Sequence, residues 1–148
     1  MRAYERLRRS AVGLTPDRTI QEAAAIMDSA GVGALAVLDD DRLVGIVTDR
    51  DLVRRGMAKG LERDARVDGV MSTPVVTIDA EADLHHAFAL LSTHGIRRLA
   101  VVENDKFVGM ITVDDLLVDL AQDLSALSRP VTAEIVFGHH DSPTPSVR

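Results

Sequence analysis

A chain of 148 residues has room for one ordinary domain or two small ones, and with 46% hydrophobic and 27% charged residues its composition is that of a globular protein. The net charge of −6 disfavours a general nucleic-acid binder, which needs a basic face, and the lack of cysteine excludes disulfides and thiolate metal sites. No apolar run approaches the ~18 residues of a membrane helix, and residues 1–13 carry no secretory apolar stretch, so a cytoplasmic protein is expected.

Taken in order, residues 1–9 read as a short polar helix or a mobile end, and Val12 to Leu14 as a brief strand closed by Thr15-Pro16-Asp17. Thr19 starts a helix whose apolar stripe is Ile20, Ala23, Ala24 and Met27, with Thr19 and Glu22 spaced as a capping box and Gly31 as its stop. Leu35-Ala36-Val37-Leu38 is a strand buried on both faces. It turns at Asp39-Asp40-Asp41 into a second strand, Leu43 to Val47. Thr48 opens another helix, with Leu52, Val53 and Met57 facing inward and Gly60 ending it. Residues 61–69 form a polar connector.

The same order then recurs. Val75 to Ile78 is a strand, and Leu84, Ala87, Phe88 and Leu91 form a helix stripe. Leu99 to Val102 and Phe107 to Ile111 make a hairpin turning at Asn104-Asp105. A last helix runs from about Val113 to Ala126, Pro130 breaks it, and Val131 to Phe137 reads as one extra strand before a tail at 139–148.

The recurrence is a repeat in the strict sense. Gly45-Ile46-Val47-Thr48-Asp49-Arg50-Asp51-Leu52 returns 64 residues later as Gly109-Met110-Ile111-Thr112-Val113-Asp114-Asp115-Leu116. Upstream, Val12/Val76, Gly31/Gly95, Leu35/Leu99 and Asp41/Asp105 keep that offset without a gap. The chain is thus one α/β unit, strand–helix–strand–strand–helix, used twice. A unit of about 60 residues buries little surface alone, so two sharing a core is the economical arrangement. The expected boundaries are an N-terminal arm at 1–6, repeats at 7–65 and 66–126, and a mostly flexible tail at 127–148.

The repeated stretch carries the candidate chemistry. A strand running into a helix presents free backbone N–H groups and a partial positive charge, which suits a phosphate. Thr48 offers a hydroxyl to a phosphate oxygen, Asp51 can accept both hydroxyls of a ribose, and Gly45 admits close approach to the strand. The competing reading is that Thr48 and Asp51 only cap a helix. Duplication copies caps as faithfully as sites, so the second copy does not decide between them.

Gly-apolar-x-Thr-x-x-Asp-Leu, twice, together with Thr73-Pro74-Val75-Val76 and Gly95-Ile96-Arg97-Arg98-Leu99, resembles the cystathionine-β-synthase (CBS) domain family over about residues 7–125. Two such repeats, packed by pseudo-twofold symmetry, form a Bateman module. The resemblance implies a regulatory module without catalysis that binds AMP, ADP, ATP or a related adenosyl compound. It assigns Thr48, Asp51, Thr112 and Asp115 to ribose and phosphate. It assigns Ala11–Val12 with Gly33–Ala34, and Val75–Val76 with Arg97–Arg98, to the base. The first repeat departs from the second in having Ser10 where the second has Pro74. The resemblance also implies a homodimer, here through the broadly apolar last helix, and a regulated partner protein in trans. The alternative is a ligand-free interaction scaffold.

The copies differ inside the motif: Asp49-Arg50 against Val113-Asp114. Arg50 beside a phosphate and Asp114 beside another would make the Thr48/Asp51 cleft prefer the more highly phosphorylated ligand. Arg97 and Arg98 read either as phosphate contacts at the second repeat's own cleft or as a surface pair. His85, His86 and His94 read as exposed helix residues without a ligand set for a metal, and the acidic turn at 39–41 as a turn. No nucleophile–base–orienter set is visible.

Overall fold

A computed structural model of the chain describes the backbone of residues 12–137 and the side chains of residues 12–129. The readings made for residues 1–11, including Ala11 and Ser10, and for the tail at 139–148 lie outside the described residues. The chain divides at Val113/Asp114 into two compact units.

The first unit opens with β1 (Gly13–Leu14), α1 (Ile20–Ala30), β2 (Ala34–Asp39) and β3 (Arg42–Thr48). The next helical segment, α2, is built of three short pieces: an α-turn at Asp49–Asp51, a π-turn at Leu52–Gly56 and a 3₁₀ turn at Met57–Lys59. A 3₁₀ turn at Val67–Gly69 leads to β4 (Thr77–Asp79), α3 (Leu84–His94), β5 (Arg98–Glu103) and β6 (Lys106–Thr112). Two three-stranded sheets result, ordered β1-β2-β3 and β4-β5-β6, each a parallel edge strand on an antiparallel hairpin.

The repeat read from the sequence holds at the level of single pairs. Gly13 faces Ala36, and Thr77 faces Ala100; Val37 faces Gly45, and Val101 faces Gly109. Both hairpins then slip by one residue at a bulge. Both turn through two residues at positive φ, 47° and 65° at Asp40 and Asp41, 51° and 62° at Asn104 and Asp105. Such turns match the twist of the strands, and Asp and Asn tolerate the left-handed region better than bulkier residues.

The central strands are buried as expected: Leu35, Ala36, Val37 and Val47 in the first repeat, Leu99, Ala100, Val101 and Ile111 in the second. Ala23 and Met27 bring α1 onto the first core, and Ala87 and Leu91 are the buried residues of α3. Ala24 and Phe88, read as part of those stripes, are exposed. The Thr19 box is half formed. Its hydroxyl accepts from the Glu22 N–H at 3.1 Å, but the Glu22 carboxylate pairs with Arg18 at 3.2 Å.

Three further expectations change. Val53 and Met57 do not face inward; they are 55% and 77% exposed. The π-turn shifts the helix phase, so that Leu52 and Gly56 meet the first core, Gly56 lying against Ile20. The connector is not merely polar. Val67 and Val70 are buried in the first repeat's core, while Ala65 O and Arg63 O accept from the Ile20 and Gln21 N–H groups. It clamps the free start of α1, whose first amides would otherwise lack partners. β4 begins at Thr77, later than expected.

The described part of the second unit is helical. α4 spans Val113–Phe137, crossing the division between the units, and Pro130 does not break it. Proline removes one ladder hydrogen bond, which a long helix absorbs as a local distortion. Residues 131–137, read as a strand, therefore continue a helix. No helix of the described residues is long and apolar enough to cross a membrane.

Candidate functional site

β3 delivers Thr48 to the start of α2, and there the capping box is complete. The Thr48 Oγ1 accepts from the Asp51 N–H at 3.1 Å, and Asp51 Oδ2 accepts from the Thr48 N–H at 3.0 Å. The remaining first-turn amides are also occupied: Asp49 N–H donates to Gly33 O at 3.0 Å, and Arg50 N–H to Asp49 Oδ1 at 2.8 Å. The expectation of free N–H groups awaiting a phosphate is therefore not met. Any charge compensation for a ligand must come from side chains.

Capping does not exhaust the two motif residues. A hydroxyl that accepts one bond keeps its own O–H to donate, and a carboxylate offers about four acceptor positions. Asp51 is held from three directions. Besides Thr48 N–H, the Ser72 hydroxyl lies 3.4 Å from both carboxylate oxygens, and Arg55 Nε lies 3.9 Å from Oδ1. Its side chain is 13% exposed. Arg55 in turn donates to Met71 O at 3.0 Å.

Ser72 belongs to the second repeat. It reaches Asp51 because Met71-Ser72 runs along the free edge of β3, with Ile46 N–H to Ser72 O at 3.1 Å and Ser72 N–H to Ile46 O at 2.8 Å. Gly45 serves this crossing. A Cβ there would overlap the Met71 side chain, whose Cγ would lie 2.9 Å away. The group that approaches the strand glycine is thus a side chain of the other repeat. Sequence reading missed Ser72 and Arg55, since nothing local marks Ser72 and only the crossing reveals it.

The other expected residues separate into groups. Ala34 faces Thr48 across the β2–β3 pair, so Gly33 and Ala34 do border the start of α2. Val12 packs on the first core, and its carbonyl accepts from Ala36 N–H at 3.1 Å. Val76 does the same for Ala100 at 3.3 Å, and Val75 beside it is half-buried. The side chain of Arg50 is exposed. Arg97 is exposed, its carbonyl accepting from Val113 N–H at 2.9 Å. Arg98 is half-buried and does not serve only its own repeat: its Nη2 lies 3.5 Å from the position a Cβ on Gly33 would take. Thr112 ends β6 opposite Arg98, and Asp115 lies in the first turn of α4.

Elsewhere, His85, His86 and His94 are exposed on α3, and the described residues hold no cluster of three His, Cys, Asp or Glu fit for a metal ion. An open groove of about 530 Å³ beside β1 and α1 is lined by Gly13, Thr15, Arg18, Glu22 and Ile26, among others, and by none of the motif residues.

The sequence matches the CBS domain family profile twice, at residues 4–58 and 67–121. It is 38% identical over 113 residues to the CBS domain-containing protein YhcV of Bacillus subtilis, covering 76% of this chain and 81% of that one. The structure superposes on a protein with CBS domains from Burkholderia ambifaria with a TM-score of 0.75 at 27% identity, over 83% of this chain and 96% of that one. The CBS domain protein PAE2072 of Pyrobaculum aerophilum, solved in complex with AMP, gives a TM-score of 0.71 at 27% identity, over 82% and 99% of the two chains.

Proposed function

The chain belongs to the CBS domain family, as a tandem pair that forms a regulatory module, and on that footing we propose that it senses an adenine nucleotide or a related adenosyl compound at the Thr48/Asp51 cleft. The observation that carries this reading is the Asp51 carboxylate, mostly shielded from solvent and held by groups of both repeats while keeping acceptor positions open. It would accept the ribose hydroxyls, and Thr48 would donate to a phosphate. AMP in the Pyrobaculum aerophilum relative supports the ligand class.

Because Ser72 and Asp51 belong to different repeats, a ligand competing for Asp51 alters a contact between them. A ligand shifts such an arrangement only by its difference in affinity for the two states. The module works without catalysis of its own, in the cytoplasm, and acts on another protein. It does so as a homodimer that buries the apolar side chains α4 leaves exposed, Leu117, Leu120 and Leu124 among them. Light scattering showing a monomer at micromolar concentration would reject the dimer.

Thermal-shift measurements with AMP, ADP, ATP, NAD and S-adenosylmethionine test the ligand. A true ligand at about 100-fold excess over its dissociation constant adds ~2.7 kcal/mol. Asp51→Ala should reduce the shift. The complete capping box favours a second reading, a ligand-free scaffold, in which Asp51→Ala lowers stability by about 1 kcal/mol and no compound shifts the parent.

A further inference from the structure

Two opposite charges from different repeats converge over Gly33. A Cβ built on this glycine would lie 3.1 Å from Asp49 Oδ2 and 3.5 Å from Arg98 Nη2. The absence of a side chain leaves the space that both groups approach. Asp49 is steadied there, since its second oxygen accepts from Arg50 N–H and its own N–H donates to Gly33 O. The convergence borders the motif, because Ala34, the next residue, faces Thr48 across the β2–β3 pair.

We propose that Asp49 is a selectivity residue of the Thr48/Asp51 cleft: with Thr48 donating to the first phosphate, the outer phosphates of a polyphosphate ligand would run past the next residue, Asp49, toward Arg98, so that the space over Gly33, which the resemblance gives to the base, would take phosphates instead. This inference rests on the nucleotide-binding reading and refines it. A ligand with one phosphate leaves the Asp49–Arg98 arrangement in place. A ligand with two or three must push the Asp49 carboxylate aside before its outer phosphates can engage the Arg98 guanidinium. Asp49 thus selects against added phosphates, and Arg98 selects for them.

The second repeat carries no such pair. At the matching positions, Arg97 replaces Gly33, Val113 replaces Asp49, and Ala34 of the first repeat stands for Arg98. The match is spatial as well as sequential, since Val113 N–H donates to Arg97 O as Asp49 N–H does to Gly33 O. The device therefore belongs to the first cleft alone.

Calorimetry with AMP and with ATP in magnesium-free buffer tests it on the full-length parent, Asp49→Asn, Arg98→Gln and Arg98→Lys. Removing one like charge near the outer phosphates should tighten ATP about fivefold and AMP less, so Asp49→Asn raises the ATP-to-AMP preference. Arg98→Gln should lower that preference by a similar factor, and Arg98→Lys should restore most of it. A purely structural role would move both affinities together. An unchanged preference in Asp49→Asn, with AMP still bound, overturns this inference and spares the nucleotide-binding reading. Failure of the parent and of every variant to bind either nucleotide overturns both.

Discussion

The two repeats agree where the backbone is concerned and disagree where charge is concerned. Their strand registers, hairpin bulges and positive-φ turns coincide at an offset of 64 residues. At the start of the helix after each hairpin, however, Asp49-Arg50 stands against Val113-Asp114, and Gly33 against Arg97. Packing tolerates few solutions for a buried β-hairpin, because a slip of one residue turns every side chain to the wrong face. A helix start at the surface tolerates many. One fold unit can thus present two chemically different sites, and function must be read from each site rather than from the shared fold.

The largest expected effect tests the agreement. Leu35 and Leu99 are both fully buried in the middle strands of the two sheets. Leu35→Ala and Leu99→Ala should each lower stability by about 3 kcal/mol, since truncation loses burial and leaves a cavity. Urea denaturation should show near-equal losses. A loss at Leu99 less than half of that at Leu35 would mean that the equivalence stops at the backbone and that the second core repacks.

The next effect tests the disagreement. By sequence, Asp49, Arg50 and Arg98 of the proposed first cleft sum to one positive charge, whereas Arg97 and Asp114 at the matching positions of the second copy sum to none. At ~6 Å and an effective dielectric of about 40–80, one unit charge contributes roughly 1 kcal/mol, or about fivefold in affinity. Arg50 and Asp114 taken alone would give about 2 kcal/mol, some thirtyfold, so the Asp49 carboxylate removes roughly half. ATP titrations should show that Asp51→Ala removes the tighter of two sites while Asp115→Ala keeps it. The reverse outcome would assign the stronger cleft to the second repeat. Raised salt should shrink the difference.

How far these features could be read in advance follows from their physical range. Periodicity and caps are local, so the strands of the two hairpins, their turns and the helix stops at Gly31 and Gly60 were legible. The π-turn was not, because Leu52-Val53-Arg54-Arg55-Gly56 satisfies an ordinary helical stripe equally well, and only packing against Ile20 selects Gly56 for the inside. Val67 and Val70 were hidden among charges at Glu62, Arg63, Asp64 and Arg66. At the site, Thr48 and Asp51 were legible as a motif. The contributions of Ser72 and Arg98 come across from the other repeat, and no spacing within one repeat encodes them.

The smallest effect returns to a place where the copies part within a single turn. Ahead of α1, the Thr15 hydroxyl donates to Asp17 Oδ1 at 2.5 Å; at the matching positions Asp79 accepts from Glu81 N–H at 2.8 Å instead. Asp17 is held below the usual carboxylate range, first by that hydroxyl, then by its own backbone amide and weakly by Arg66 and Arg18, with desolvation opposing. A carboxyl whose pKa falls on folding contributes stability above its unfolded pKa of roughly 4 and loses it as pH drops through the folded value. Thr15→Ala should therefore lower the melting temperature slightly at pH 7. At a pH below the folded value, where the carboxyl is protonated in both states, the variant and the parent should converge. Exposure of the pair keeps the effect small, and added salt should weaken the coulombic share from the two arginines while leaving the hydroxyl's share. A difference that is equal at both pH values would assign Thr15 a packing role and remove the hydroxyl–carboxylate bond as its reason for being there.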